Sequence, residues 1–301
     1  MGTALTLYLQ VLVNGLLAGG IYAAAALGFS LVWGIMNVIN IAHGAFIMLG
    51  AYASYWLFVG PMHLDPFLSI PLAMAVMFVL AYATQRLLVN QVVRAPLLTT
   101  FLLTFALSIF ITNLAQVFWL SDIRSVTTAY SGSSFALGPI TVPWIKFWTL
   151  AIAALLTLAL QTFMTRTKLG RAIRATSMDV DAARLAGVDV ARIYALTFGI
   201  GGALAGAAGS LASVSYAITP TMGDSFVVRA FIVAVLGGLG NVNGALVGGI
   251  VYGIVESFGA CGSCFPGVHF LGEGFKDVIA LVVLLLIILF RPYGLVGKAT
   301  A

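Results

Sequence analysis

From Leu7 to Val32 the chain carries no charged side chain, and this run exceeds the ~20 apolar residues that span a hydrocarbon core. Comparable runs recur at Phe67–Leu88, Leu97–Leu120, Phe147–Met164, Ile193–Tyr216 and Val278–Phe290, the last extendable back to Gly272. Two further apolar pieces, Gly44–Val59 and Phe226–Phe258, are short or interrupted. The runs are rich in Ala, Leu and Gly and lack period-two alternation. They read as helices rather than barrel strands, because backbone in lipid must satisfy its own hydrogen bonds. The expected fold is all-α, a polytopic integral membrane protein of about eight transmembrane helical segments, some broken or re-entrant. Only 8% of the 301 residues are charged, against roughly 25% in soluble domains, too few to cover a water-facing surface. Residues 1–301 are expected to form a single transmembrane domain. The first run has no basic flank and no small-residue cleavage site, so it is expected to remain as a span.

Charge placement orients these spans. Arg166, Lys168, Arg171, Arg174, Arg184 and Arg192 lie together between two spans, Arg86 and Arg94 flank another gap, and Arg291 and Lys298 follow the last run. The excess of Lys and Arg on cytoplasmic loops places these three regions inside. The loops at Pro61–Pro66, Ser121–Pro143, Thr219–Asp224 and Gly259–Leu271 then fall outside. Parity puts the N-terminus outside and the C-terminus in the cytoplasm, and makes Phe226–Phe258 a dipping pair of short helices. The net charge of +5 follows from topology and implies no nucleic-acid partner.

The hinge of that dipping pair is VLGGLGNVNG, Val235–Gly244. Gly34-Ile35-Met36-Asn37-Val38 and Gly238-Leu239-Gly240-Asn241-Val242 share the pattern Gly-x-x-Asn-Val, and each is soon followed by Gly-Ala and a short apolar helix. Paired interruptions in two halves of a membrane protein point to a transport path. Asn37, Asn40, His43, Asn241 and Asn243 are therefore path candidates. Close helix packing is the competing reading, since Gly240/Gly244, Gly244/Gly248 and Gly249/Gly253 are Gly-x-x-x-Gly pairs, and His43 also reads as a structural histidine. Glu256 and Arg229 stand near the outer ends of their segments, where they either snorkel to the interface or receive substrate. Cys261 and Cys264, in CGSC, admit a local disulfide, free thiols, or a metal or redox role. With His269 they still fall short of a closed zinc site, so no metal is assigned.

The one extended charged stretch is RTKLGRAIRATSMDVDAARLAGVDVARIYALTF, Arg166–Phe198. Gly170 is expected to break the preceding span. Ser177 or Asp179 is placed to cap a second short helix, with Asp179 and Asp181 favouring its dipole and Gly187 stopping it. Ala182, Ala183 and Ala186 give that helix a small surface. The result is a pair of short helices facing the cytosol, either an ordinary basic interfacial loop or a knob shaped for a soluble partner.

This segment resembles the cytoplasmic loop of permease subunits from ABC importers of the branched-chain amino-acid type. The residues that carry the likeness are Leu169-Gly170-Arg171-Ala172, Arg174-Ala175, Asp179, Ala182-Ala183, Leu185, Gly187, Leu196-Thr197-Phe198 and Ala203–Gly209. Asn37–Gly44, Leu49–Tyr52, Ala234–Gly240, Phe275-Lys276-Asp277 and Arg291–Leu295 add to it in order along the chain. The resemblance implies coupling helices across Lys168–Gly187, with Gly170, Arg171, Arg174, Asp179, Ala182, Ala183, Leu185 and Gly187 as ATPase-coupling residues. It also implies two ATP-binding subunits, a second permease that is a paralogue or another copy, a periplasmic substrate-binding protein, and a bacterial inner-membrane location. Ala45 stands where some members of that family carry an acid.

The chain contains no Gly-x-x-x-x-Gly-Lys-[Ser/Thr] phosphate loop, so it should bind no cofactor of its own, with ATP and Mg held on the partner subunits. The leading function is the permease subunit of an ATP-driven importer for branched-chain or other hydrophobic amino acids, working by alternating access. A passive channel for a small neutral solute such as urea is the alternative. The middles of the confident spans lack Asp and Glu, which argues against ion coupling. No nucleophile–base set or metal cluster stands at membrane depth, which argues against an enzyme.

Overall fold

The computed structural model describes residues 2–93, 95–262, 264, 276–291 and 294–297. Arg94, His269, Phe275, Pro292, Tyr293, Lys298 and the start of a last span near Gly272 lie outside the described residues. Helices α1 (Gly2–Met36), α2 (Ala42–Val59), α3 (Pro66–Thr84), α4 (Asn90–Val92) and α5 (Leu97–Trp119) come first. A hairpin of β1 (Ser134–Leu137) and β2 (Ile140–Pro143) follows, then α6 (Trp144–Arg166), α7 (Lys168–Met178), α8 (Val180–Leu185), α9 (Val190–Ser213), α10 (Met222–Gly237), α11 (Val242–Ala260) and α12 (Lys276–Phe290). Among the described residues, seven helices are long and apolar enough to cross a membrane. The protein is a polytopic all-α membrane protein.

Residues 19–32 of α1 and nearly all of α9 from Ile193 onward are buried, whereas few residues of α3, α5 and α6 are. Val117, Phe118, Leu68 and Leu158 stand well out from the surface. Lipid is the solvent that accepts such a surface. The 35 residues of α1 rise about 52 Å, longer than a hydrocarbon core of about 30 Å, so this helix projects beyond it. Near one end, Gln10 grips the hairpin like a neighbouring strand. Its amide donates to Thr141 O and accepts from Thr141 N, both at 2.8 Å.

The central helices touch backbone to backbone. A Cβ on Gly19 would lie 2.6 Å from Ile250 Cα, and one on Gly50 would lie 2.7 Å from Gly206 Cα. Both are closer than any side chain tolerates, so α1/α11 and α2/α9 meet at a spacing that only glycine permits.

Two interruptions divide the apolar runs. Helix α1 stops at Asn37, whose φ of +51° is a left-handed conformation that Asn tolerates better than most residues. The next residues are non-helical until α2 begins at Ala42. Their backbone is satisfied by α5: Thr104 Oγ1 donates to Ile39 O at 2.9 Å and accepts from Ile41 N at 3.3 Å. The expected short piece Gly44–Val59 is thus one continuous helix, and the break lies before it. The second interruption is the expected hinge between α10 and α11. Gly238 and Gly240 take φ of +100° and +82°, and Asn241 Oδ1 caps α11 by accepting from Gly244 N at 3.1 Å.

Three features depart from the sequence reading. The chain leaves α6 at Thr167, not Gly170. Thr167 is extended and its Oγ1 accepts from Gly170 N at 2.9 Å, while Gly170 sits inside α7, where a Cβ would lie 2.6 Å from Met164 Cα. Helix α3 passes through a π-helical turn at Gln85–Val89, marked by no Pro or Gly. The loop Ser121–Pro143 folds into the hairpin, turned at Gly138 with φ of +63°, and is tied down by Tyr130. That phenol donates to Asp65 Oδ2 at 2.7 Å. Burial and then this bond to Asp65 push its pKa well above the ordinary tyrosine value, so Tyr130 stays a donor.

Gly19→Leu is expected to abolish the folded protein in mild detergent, measured by size-exclusion yield. Leu158→Ala, at an exposed position, should leave that yield unchanged.

Candidate functional site

At the end of the bundle that holds the basic segment, α7 and α8 form a two-helix knob. Gly170, Ile173 and Thr176 are its buried face, and Arg171 and Arg174 are exposed. Asp179, rather than Ser177, caps α8: its Oδ1 accepts from Asp181 N and Ala182 N, both at 2.9 Å. Gly187 turns the chain with φ of +82°, and Asp189 caps α9 through Arg192 N at 3.1 Å. Of the three expected packing alanines only Ala183 is buried; Ala182 and Ala186 face solvent. The knob also exposes two large apolar side chains, Met178 at 87% and Leu185 at 92%.

Beside the knob lies an open cavity of 810 Å³. Asn37, Asn241 and Asn243 line it together with Gln161, Arg174 and Ser177. The two Gly-x-x-Asn-Val motifs meet here, because a Cβ on Gly34 would lie 2.5 Å from Gly240 Cα. Their asparagines do different work. Asn37 ends a helix, whereas Asn241 starts one and donates through Nδ2 to Val296 O at 3.2 Å. The segment after α12 completes the hinge, with Leu295 N donating to Leu236 O at 2.8 Å and Val296 N to Gly237 O at 3.3 Å. Carbonyls that the end of α10 leaves without helical partners are thereby satisfied.

The remaining path candidates stand apart from this cavity. Asn40 and His43 are buried. His43 Nε2 donates to Ala25 O at 2.8 Å, and its ring packs edge-on against Phe29. Asn40 Oδ1 and His43 Nδ1 are buried and have no hydrogen-bond partner among the described residues. Glu256 does not snorkel. It faces Arg229 at 3.8 Å, with side chains 9% and 12% exposed. Cys261 and Cys264 are joined as a disulfide, and Tyr8 on α1 donates to Cys264 O at 2.8 Å. Among the described residues no group of three or more His, Cys, Asp or Glu is placed to hold a metal ion.

Sequence reasoning missed Thr104 as the partner of the first break, because nothing local marks a threonine that answers a distant backbone. It also missed Arg124, whose N–H and carbonyl both pair with Ile218 at 3.0 and 2.8 Å and whose guanidinium lies over Tyr55 and Trp56. The pairing of Arg229 with Glu256 had a signal: they are the two charges, of opposite sign, in the apolar run Phe226–Phe258.

A helical membrane bundle with two interrupted spans and a charged helical knob at one end has the build of a transport subunit. Over residues 11–290 the chain matches the family described as branched-chain amino acid transport system / permease component, and it belongs to that family. The high-affinity branched-chain amino acid transport system permease protein BraD of Pseudomonas aeruginosa is 33% identical, over 97% of this chain and 96% of the relative. LivH of Escherichia coli, of the same description, is 30% identical over 97% and 96%. A probable LivH permease of Methanocaldococcus jannaschii is 28% identical over 96% and 92%. No solved structure matches the chain.

Asn241→Ala removes the cap of α11 and its tie to Val296. It is expected to cost about 1 kcal/mol, read as a lower thermal unfolding midpoint with faster proteolysis at the C-terminal segment.

Proposed function

We propose that this chain is the transmembrane permease subunit of an ATP-driven ABC importer. Its cargo on this reading is a branched-chain or other hydrophobic amino acid, moved across the bacterial inner membrane by alternating access. The observation that carries the proposal is the knob. Met178 and Leu185 are almost fully exposed on a charged pair of helices that belongs to a permease of this family. An apolar side chain held out on a capped helix is costly in water, and a soluble partner that covers it removes the cost.

On this reading Gly170, Arg171, Arg174, Asp179, Ala182, Ala183, Leu185 and Gly187 form the coupling surface, and two partner ATPases hold ATP and Mg. A second permease and a periplasmic binding protein complete the assembly. The relatives reported above are transport-system permeases, and none supports the urea-channel alternative. Two sets of contacts support the orientation. The segments around Asp65, Tyr130, Arg124 and Ile218 join one another at one end, while Arg166, Arg171, Arg174 and Arg184 collect on or beside the knob. The positive-inside rule puts the knob in the cytoplasm, with the N-terminus outside and the C-terminus inside.

Leu185→Glu is expected to leave the permease folded, since the side chain touches little of it. Co-purification of the ATPase subunits and ATP-driven leucine uptake in proteoliposomes should each fall about tenfold or more. Full uptake with this variant would remove the coupling assignment. Gly187→Val, strained at a left-handed position, should show the same pattern.

A further inference from the structure

Glu256 and Arg229 bring a negative and a positive charge into the interior of an otherwise apolar bundle. Arg229 lies in α10 and Glu256 in α11, and Arg229 Nη2 stands 3.8 Å from Glu256 Oε1. The guanidinium lies over the ring of Tyr22 at 5.6 Å. The Tyr22 hydroxyl is 3.0 Å from that of Tyr216, and Tyr252 packs edge-on against Tyr22 at 4.9 Å. The separation of the charges exceeds the ~2.8 Å of a closed charge-assisted hydrogen bond. These two atoms attract at that distance without a direct hydrogen bond between them.

Stability does not call for such a pair. Neutral residues of similar volume usually serve as well or better at a buried site, and ionisable groups inside membrane proteins mark functional sites by default. The pair is also near a surface. Helix α10 presents Asp224, Ser225 and Val228 outward, and Arg229 is the next residue, partly exposed behind them.

Resting on the importer reading above, we propose that Arg229 and Glu256 are the recognition point for the zwitterionic head of the transported amino acid. The α-carboxylate takes the place of Glu256 on the guanidinium, and the α-ammonium takes the place of Arg229 on the carboxylate. This exchange leaves every charge paired. A carboxylic acid without the amine, or an amine without the acid, would replace only one half of the ion pair, and a solute with neither charge would replace none of it. The site therefore selects for the amino-acid head, while the aliphatic side chain meets the apolar and aromatic surroundings. Tyr22, Tyr216 and Tyr252 are positioning residues that hold the pair at this spacing.

The test uses the complete transporter with its binding protein in proteoliposomes, with labelled leucine as probe. Arg229→Gln with Glu256→Gln is expected to assemble, measured by co-purification of all subunits. Its maximal uptake rate should fall about tenfold or more, with the half-saturating leucine concentration unchanged because the binding protein sets it. Uptake within about twofold of the unaltered transporter would overturn the proposal. If the neutral pair does not assemble, the exchanged pair R229E/E256R decides. Assembly without uptake supports recognition of the zwitterion. Assembly with uptake restored, or failure to assemble, assigns the pair to structure and overturns it. An unaltered complex that shows no ATP-driven leucine uptake would instead refute the importer reading, a separate result.

Discussion

Where α1 crosses α11, Gly19 lies against the backbone of Ile250 and Gly253 against the backbone of Gly15. The same arrangement recurs where Gly50 of α2 meets Gly206 of α9 and where Gly28 of α1 meets Gly201. In hydrocarbon no hydrophobic force drives one apolar helix against another, because lipid tails solvate leucine as well as a neighbouring helix does. Close packing of backbone on backbone takes over that role. It explains why α1 and α9 carry so many glycines and alanines in their buried stretches, and why leucines and phenylalanines crowd the outer faces of α3, α5 and α6.

Contact this close has a consequence for the interruptions. A core with no slack does not deform continuously, and backbone that leaves the helical pattern must find partners inside the protein. The first break borrows the hydroxyl of Thr104 from α5, and the second borrows the N–H groups of Leu295 and Val296 from the segment after α12. Both breaks are thus joints between helices whose freed backbone is bonded by other elements of the fold. The π-turn at Gln85–Val89 is a third departure, linked to the start of α9 where Asn90 Nδ2 donates to Ala191 O at 3.4 Å.

How much of this was legible depended on the range of the physics involved. The spans followed from hydropathy, which is a property of each segment alone. The hinge at Gly238–Asn241, the stop at Gly187 and a cap at either Ser177 or Asp179 followed from local backbone chemistry, which four or five residues encode. The end of α6 was misplaced because a glycine placed for close approach looks the same in sequence as one placed for a turn. Thr167 makes the turn, and Gly170 is small so that Met164 can lie against it. Thr104 and the hairpin's grip on Gln10 are long-range answers to backbone needs, and no local pattern announces them. The paired Gly-x-x-Asn-Val motifs were seen as a repeat. Their meeting at Gly34 and Gly240 and their opposite uses of asparagine emerge only in three dimensions.

The cavity of 810 Å³ joins the two ends of this reasoning. Arg174 and Ser177 reach it from the knob, Asn37 from the end of α1, and Asn241 and Asn243 from the hinge. The knob and both breaks thus border one space. Ile173 and Gly170 seat α7 against the ends of the spans with no room for independent motion. On the importer reading, a partner that pulls on Met178 and Leu185 moves α7 together with those ends. The helices beyond then turn about the joints at Asn37–Ile41 and Gly238–Asn241. Arg229 and Glu256 sit on the two arms of the second joint, so opening it would change their separation directly. The helix break beside the knob is in this way connected to the buried charges through α10 and α11, and Tyr22 of α1 packs against the same guanidinium.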